Sequence, residues 1–379
     1  MPDSGSSVDS PQVVARSEPV LRDPVLRLIR RQHRCNDEVL IAIWMIVTAV
    51  ILWLRPPVAF SSGFTPLVST ETLAAAAWTF LVVPAVLYAY LWLPDSLAQL
   101  VPELDTNGVI VGSKPAAPQR SIEDFTAEAN RRIDRIIWPL IMVAFIAWYL
   151  VFDWARSDAV GAARVQEILQ LVVYAPVAYA SGVALGRLVS GMAIVDDLFE
   201  HYAARVRPLH PDGAGGFGPL GHRLTMVARI IGAVGIGALV INAIDFQAGR
   251  SVVSPASVFT LGAIALVGPL TVWVGIRSPH RAMLEARDDV LAPITDAIER
   301  LSVGPLPQTD DTAQATAALK GTNEEIEALH RRQKLLVDSY PVWPIHTQGF
   351  RIVVATASAP LIVGIVDVVL QRIGSIVGG

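Results

Sequence analysis

The chain has 379 residues, with 30 Lys and Arg against 34 Asp and Glu, 53% hydrophobic residues and 17% charged ones; its mean hydropathy is +0.48. That balance excludes an ordinary soluble domain, in which about 25% of residues are charged; the net charge is −4, and no nucleic-acid partner is expected. One cysteine, Cys35, excludes an internal disulfide and a thiolate cluster, so no metal and no cofactor are expected.

The stretch Met1–Pro19 is rich in Ser, Asp and Pro and reads as disordered chain, with no apolar run placed for a cleavable signal. With Arg16, Arg22, Arg27, Arg30, Arg31 and Arg34 it forms a basic tail over residues 1–35. Apolar segments then follow at Val39–Leu54, Leu73–Leu93, Ile136–Phe152, Ile168–Leu188, Met226–Ile244, Val258–Ile276 and Ile352–Leu370, each near the ~20 residues that cross a hydrocarbon core. The intervening loops alternate sharply in basic charge. Only Arg55, Arg156, Arg164, Arg250 and Arg372 fall on one side, which leaves 25 of the 30 Lys and Arg on the other. Positive residues mark the cytoplasmic side. The expected fold is all-α: a polytopic plasma-membrane protein of seven transmembrane helices, N-terminus inside and C-terminus outside. Residues 36–277 form the membrane domain with helices one to six, 278–340 a cytoplasmic helical hairpin, and 341–379 the final span and a short outer tail.

Between the second and third segments, Ser121-Ile122-Glu123-Asp124 reads as an N-cap with an acidic first turn, predicting a surface helix over Ile122–Arg135. The fourth segment continues without a strong breaker from Gln166 to about Val206, predicting a span prolonged into water. Within it Gly182, Gly186 and Ser190 recur every fourth residue and favour close helix contact. Arg187, at its inner end, is expected to snorkel to the headgroups, with Asp196 or Asp197 as alternative partners. The string from His210 to Gly221 is dense in glycine, and its candidate residues are His210, Asp212, Gly213, Gly215 and Gly216. It suits either an anion nest or a tight structural turn. It lacks the Gly-Lys-Ser/Thr ending of a phosphate loop, and His210, Asp212 and His222 lack a recognised metal-ligand spacing.

The hairpin places Val290, Leu291, Ile294, Ile298 and Leu301 on one helical face. After Pro305–Gln308 it places Ile326, Leu329 and Leu336 on another. At the outer ends of the third, fifth and seventh segments stand Asp153, Asp245 and Asp367. Along the seventh, Thr356, Pro360, Gly364, Asp367 and Gln371 share one face, which suits either a water-lined path or a contact with neighbouring spans.

Seven spans in this orientation, a prolonged fourth span, helices before the last span and the stripe Thr356 to Gln371 together resemble the insect chemoreceptor-type superfamily of seven-span ion channels. The likeness is one of layout over Glu38–Arg372. Of the family's signature at the end of the last span, Thr-Tyr followed by apolar residues and Gln-Phe, only Gln371 matches: Arg372 follows it and Gly364 stands seven positions before it. The resemblance implies a homo-oligomer, a cytoplasmic anchor of packed helices and a cation pore lined by the last span. Two functions follow as expectations: an oligomeric channel or channel-like receptor, cation-preferring, with Thr356, Asp367 and Gln371 on the path and Asp153 and Asp245 at its outer mouth; or a non-conducting scaffold or sensor binding a cytosolic partner through residues 278–340. No nucleophile–base pair or two-carboxylate frame is present, so no enzyme is expected.

Overall fold

The computed structural model describes residues 23–32, 36–53, 70–115, 117–156, 162–208, 210–247, 255–303, 312–344 and 351. In chain order the elements are α1 (Pro24–Gln32), α2 (Asp37–Trp53), α3 (Thr70–Ala77), a π turn (Trp78–Val82), α4 (Val83–Thr106), β1 (Ile110–Ser113), α5 (Ile122–Ile133), α6 (Ile137–Arg156), α7 (Ala162–His201), β2 (Tyr202–Ala204), α8 (Gly218–Gln247), α9 (Pro255–Val303) and α10 (Thr312–Ser339). The all-α expectation holds. Apolar sequence without side-chain partners for the backbone satisfies its N–H and C=O groups within each helix.

Helix α4 lies against α2, α5, α7 and α8, and α7 in turn against α6 and α9. The glycine stripe on α7 explains one of these contacts. A Cβ on Gly182 would strike the Met142 side chain, one on Gly186 would strike the Trp138 ring, and Ser190 Oγ accepts the Trp138 indole N–H at 3.2 Å. All three small residues therefore serve the α6–α7 contact. In the first turn of α4, Pro84 has no N–H to donate to the preceding turn. The helix accommodates it through the π turn, where the Val83 N–H reaches back to the Trp78 carbonyl.

The largest buried cluster among the described residues draws on α4, α5, α7, α8 and α9. Leu104, Val109, Phe125, Ile133, Leu198, Phe199, Tyr202, Phe217, Leu220, Met283 and Tyr340 form one buried cluster. It is floored by an antiparallel pair of β1 and β2, with Ile110 opposite Ala204 and Ser113 opposite Tyr202. The Asn107-Gly108 turn that opens this pair takes φ +65° at Gly108, a conformation glycine adopts without steric cost. The predicted surface helix is α5, and Ser121 caps it by accepting the Asp124 N–H at 3.1 Å. The prolonged fourth segment is α7, a single helix of 40 residues and hence about 60 Å long at about 1.5 Å per residue.

One expectation needs correction. The stretch before the first apolar segment contains a helix, α1, in place of a wholly disordered tail; Asp23 at its N-cap and Leu26, fully buried, dock it onto the bundle. The boundary drawn at 277/278 falls inside α9, which runs unbroken for 49 residues because no residue there interrupts the helix strongly enough: Pro279 leaves the rod continuous. Between α4 and α5, Ile110–Ser113 forms β1.

Among the described residues, two helical stretches, Leu73–Thr106 and Leu171–His201, are long and apolar enough to cross a membrane. Helix α6 leaves Leu140, Val143, Phe145, Trp148 and Val151 exposed. The seventh apolar segment lies outside the described residues.

Gly186→Val should wedge α6 from α7 and lower stability by about 1–3 kcal/mol, read as an earlier thermal unfolding transition of the protein in detergent. Gly321→Ala, in a helix with open space at that Cβ, should raise stability by up to about 1 kcal/mol.

Candidate functional site

Of the residues singled out at the outer ends, Asp153 falls in the last turn of α6 and Asp245 two residues before the end of α8. Thr356, Pro360, Asp367 and Gln371 lie outside the described residues.

The glycine-rich loop is described throughout its nest. Gly213, Gly215 and Gly216 have φ of +64°, +69° and +100°, and their turns aim successive N–H groups inward. The anion they receive is the loop's own Asp212. Its Oδ1 accepts from Ala214 at 2.9 Å and its Oδ2 from Gly216 at 3.0 Å and Gly218 at 2.8 Å. The His210 Nδ1 lies 2.8 Å from Oδ1. Asp212 thus fills the nest and caps the start of α8. Asn107 Nδ2 donates to the Gly216 carbonyl at 3.1 Å, and Phe217 stacks on Phe199, so the loop is locked to α4 and α7. Of the two sequence readings, the structural turn describes it. Burial by itself would raise the Asp212 carboxyl, but the backbone N–H groups of Ala214, Gly218 and Gly216, with His210, hold it below the usual carboxylate range.

Nearby, a cleft of about 440 Å³ is lined by Ser113, Lys114, Gln119, Arg120 and Ser121. Lys114 reaches out of it to Glu285 at 3.0 Å. Arg223 ties α8 to α4 through the Ser96 carbonyl at 2.6 Å and Glu103 at 2.8 Å. Arg132 ties α5 to α7 through Asp197 at 2.8 Å. Among the described residues no three His, Cys, Asp or Glu side chains group as they would around a metal ion.

The most buried polar cluster is one that the sequence reading did not assemble. Arg187 is 1% exposed and neither snorkels nor meets Asp196 or Asp197. Its Nη2 donates to Asp23 Oδ2 at 2.8 Å and lies 3.8 Å from Asp134. Its Nη1 is 3.4 Å from the Tyr90 carbonyl. That carbonyl is available because Pro94, four residues on, has no N–H to occupy it. Asp23 also accepts the hydroxyls of Tyr90 at 2.9 Å and Tyr179 at 3.0 Å. The Arg187 guanidinium stands over the Tyr90 ring, 5.2 Å from its centroid. One signal for half of this was present: Asp23-Pro24 before an amphipathic run is an N-cap followed by proline at the first helical position. Nothing local connects Asp23 to Arg187.

Comparison with known proteins returned no matching family model, no matching curated protein and no matching solved structure.

Arg187→Ala strands a buried carboxylate and should cost about 3–5 kcal/mol, whereas Arg132→Ala, losing a partly exposed pair, should cost about 1 kcal/mol or less. Chemical unfolding of both variants in detergent compares them. Because the folded Asp212 pKa is depressed, its contribution is complete above the unfolded value of about 3.9 and fades as pH falls through the lower folded value. Asp212→Asn should therefore be less stable at neutral pH and lose less stability on acidification, as measured by melting between neutral and strongly acidic pH.

Proposed function

We propose that the chain is a multi-pass protein of the plasma membrane with seven spans, N-terminus inside and C-terminus outside, that assembles as an oligomeric, cation-preferring channel or channel-like receptor. The observation that carries this reading is the return of α10 to the base of α9. Antiparallel to α9, α10 brings Gln333 beside Thr295 and then delivers Tyr340, whose hydroxyl donates to the Ala286 carbonyl at 3.1 Å. Burial pushes the Tyr340 hydroxyl above its ordinary pKa, which keeps it a neutral donor. Trp343 stacks on His280 with ring centroids 4.1 Å apart, and His280 Nδ1 donates to the Val342 carbonyl at 2.6 Å. The chain entering the last apolar segment is thereby pinned beside α9 at the inner packed core. The segment that follows is the one bearing Thr356, Pro360, Asp367 and Gln371. The exposed apolar faces of α2 and α6 suit lipid, and α7 and α9 are each longer than the ~30 Å hydrocarbon core, so both would continue into the cytoplasm.

A second reading has its own observation. Val290 and Val303 on α9 and Leu319, Leu335 and Val337 on α10 are exposed, Leu335 at 71%, and that surface favours a scaffold or sensor whose hairpin binds a cytosolic protein. Crosslinking that recovers such a protein, lost on deleting residues 278–339, distinguishes this reading.

Purified protein in planar bilayers should conduct cations in preference to anions, and Asp367→Asn should weaken that preference several-fold. Absence of conductance, or a selectivity unchanged in the variant, overturns the channel reading.

A further inference from the structure

The donors gathered around Asp23 come from two helices, α4 and α7, that are held together without it. Val83, Val86, Val177 and Val183 pack between them in one buried cluster, and the Tyr90 and Tyr179 rings meet edge to face at 6.1 Å. Two phenol hydroxyls and a guanidinium converge on a single carboxylate. That is a full complement of strong, charge-assisted donors for a group with two acceptor oxygens.

The occupant is attached weakly elsewhere. Helix α1 has 9 residues, too few to be stable alone. Of its apolar side chains only Leu26 is fully buried, while Val25 and Leu28 are 40% and 58% exposed. Ile29 packs, part-buried, against the same cluster as Leu26, and Arg30 meets Asp95 at 2.6 Å with both side chains part-exposed, a kind of pair that contributes little. The buried polar hold on α1 is the Asp23 carboxylate, which also caps the helix through the Val25 and Leu26 N–H groups at 3.0 and 3.3 Å.

Removing one member of a buried ion pair ordinarily leaves the other uncompensated. Here Asp134, at the C-cap of α5, already stands 3.8 Å from Arg187. The guanidinium keeps a counter-charge when Asp23 departs.

We propose that Tyr90, Tyr179 and Arg187 form a carboxylate-binding site for small carboxylates, which the chain fills in cis with Asp23, so that α1 is a strap released when the site is vacated or taken by a carboxylate from solution.

The probe is formate. Asp23→Ala in the full-length protein, reconstituted in nanodiscs, should melt at a lower temperature than the wild-type chain. Sodium formate should restore part of the loss saturably, beyond sodium chloride at equal ionic strength. Wild-type protein, its site filled, should show no such difference, and Tyr90→Phe with Tyr179→Phe in the Asp23→Ala background should weaken the formate response several-fold. Formate acting no better than chloride on Asp23→Ala, or equally well on wild type, overturns the proposal. Where Asp23→Ala does not fold, Asp23→Asn decides the matter, since it keeps the size and the acceptor oxygen but not the charge. Amide hydrogen exchange over residues 24–32 should then be at least tenfold faster than in wild type while α4 and α7 stay protected. Unchanged protection of α1 overturns the proposal.

Discussion

A guanidinium taken out of water must find both counter-charge and hydrogen-bond acceptors within the protein. Arg187 draws them from Asp23 ahead of α1, from the Tyr90 carbonyl within α4 and from Asp134 after α5. Three elements are therefore fixed relative to α7 by one side chain. The arrangement depends on a defect in α4: without Pro94, the Tyr90 carbonyl would be spent within its own helix. The small-residue face of α7, one turn away, brings α6 in close.

Two styles of packing meet along these helices. Around Leu104, Phe199, Phe217 and Met283 the protein resembles a soluble core, with polar groups satisfied by caps and by turns such as the Asp212 nest. Farther along α2 and α6 the apolar side chains face outward, and helix contacts rely on small residues and shape. Surface pairs such as Lys114 with Glu285 add little to either. The chain ahead of the final apolar segment is tied to this packed core through Tyr340 and to α9 through Trp343.

What could be read from the chain beforehand follows the range of the interactions involved. The Ser121 cap, the length of α7 and the contact face of Gly182, Gly186 and Ser190 rest on residues within a few turns of each other. Each was legible for that reason. Asp212 was legible in part: the glycines announced a nest but not that its anion was internal, since the decisive fact is where one carboxylate turns. The β1–β2 pair joins Ile110–Ser113 to Tyr202–Ala204, two runs too short to show alternation. The Asp23–Arg187 pair spans 164 positions. The outer aspartates and the Thr356–Gln371 stripe fall beyond or at the edge of the described residues, so their placement still rests on periodicity.

The π turn at Trp78–Val82 bears on how α3 and α4 share one rod. A π turn carries one residue more than the α-helical turn it replaces, which equals about 100° of rotation at about 3.6 residues per turn. The faces of α3 and α4 are consequently out of phase, and both helices lie against α8. Excising a single residue from Trp78–Val82 would leave a helix of ordinary pitch, yet swing Leu73 and its neighbours by more than a quarter of a circle. The rod tolerates substitution of its side chains far better than any change in their number.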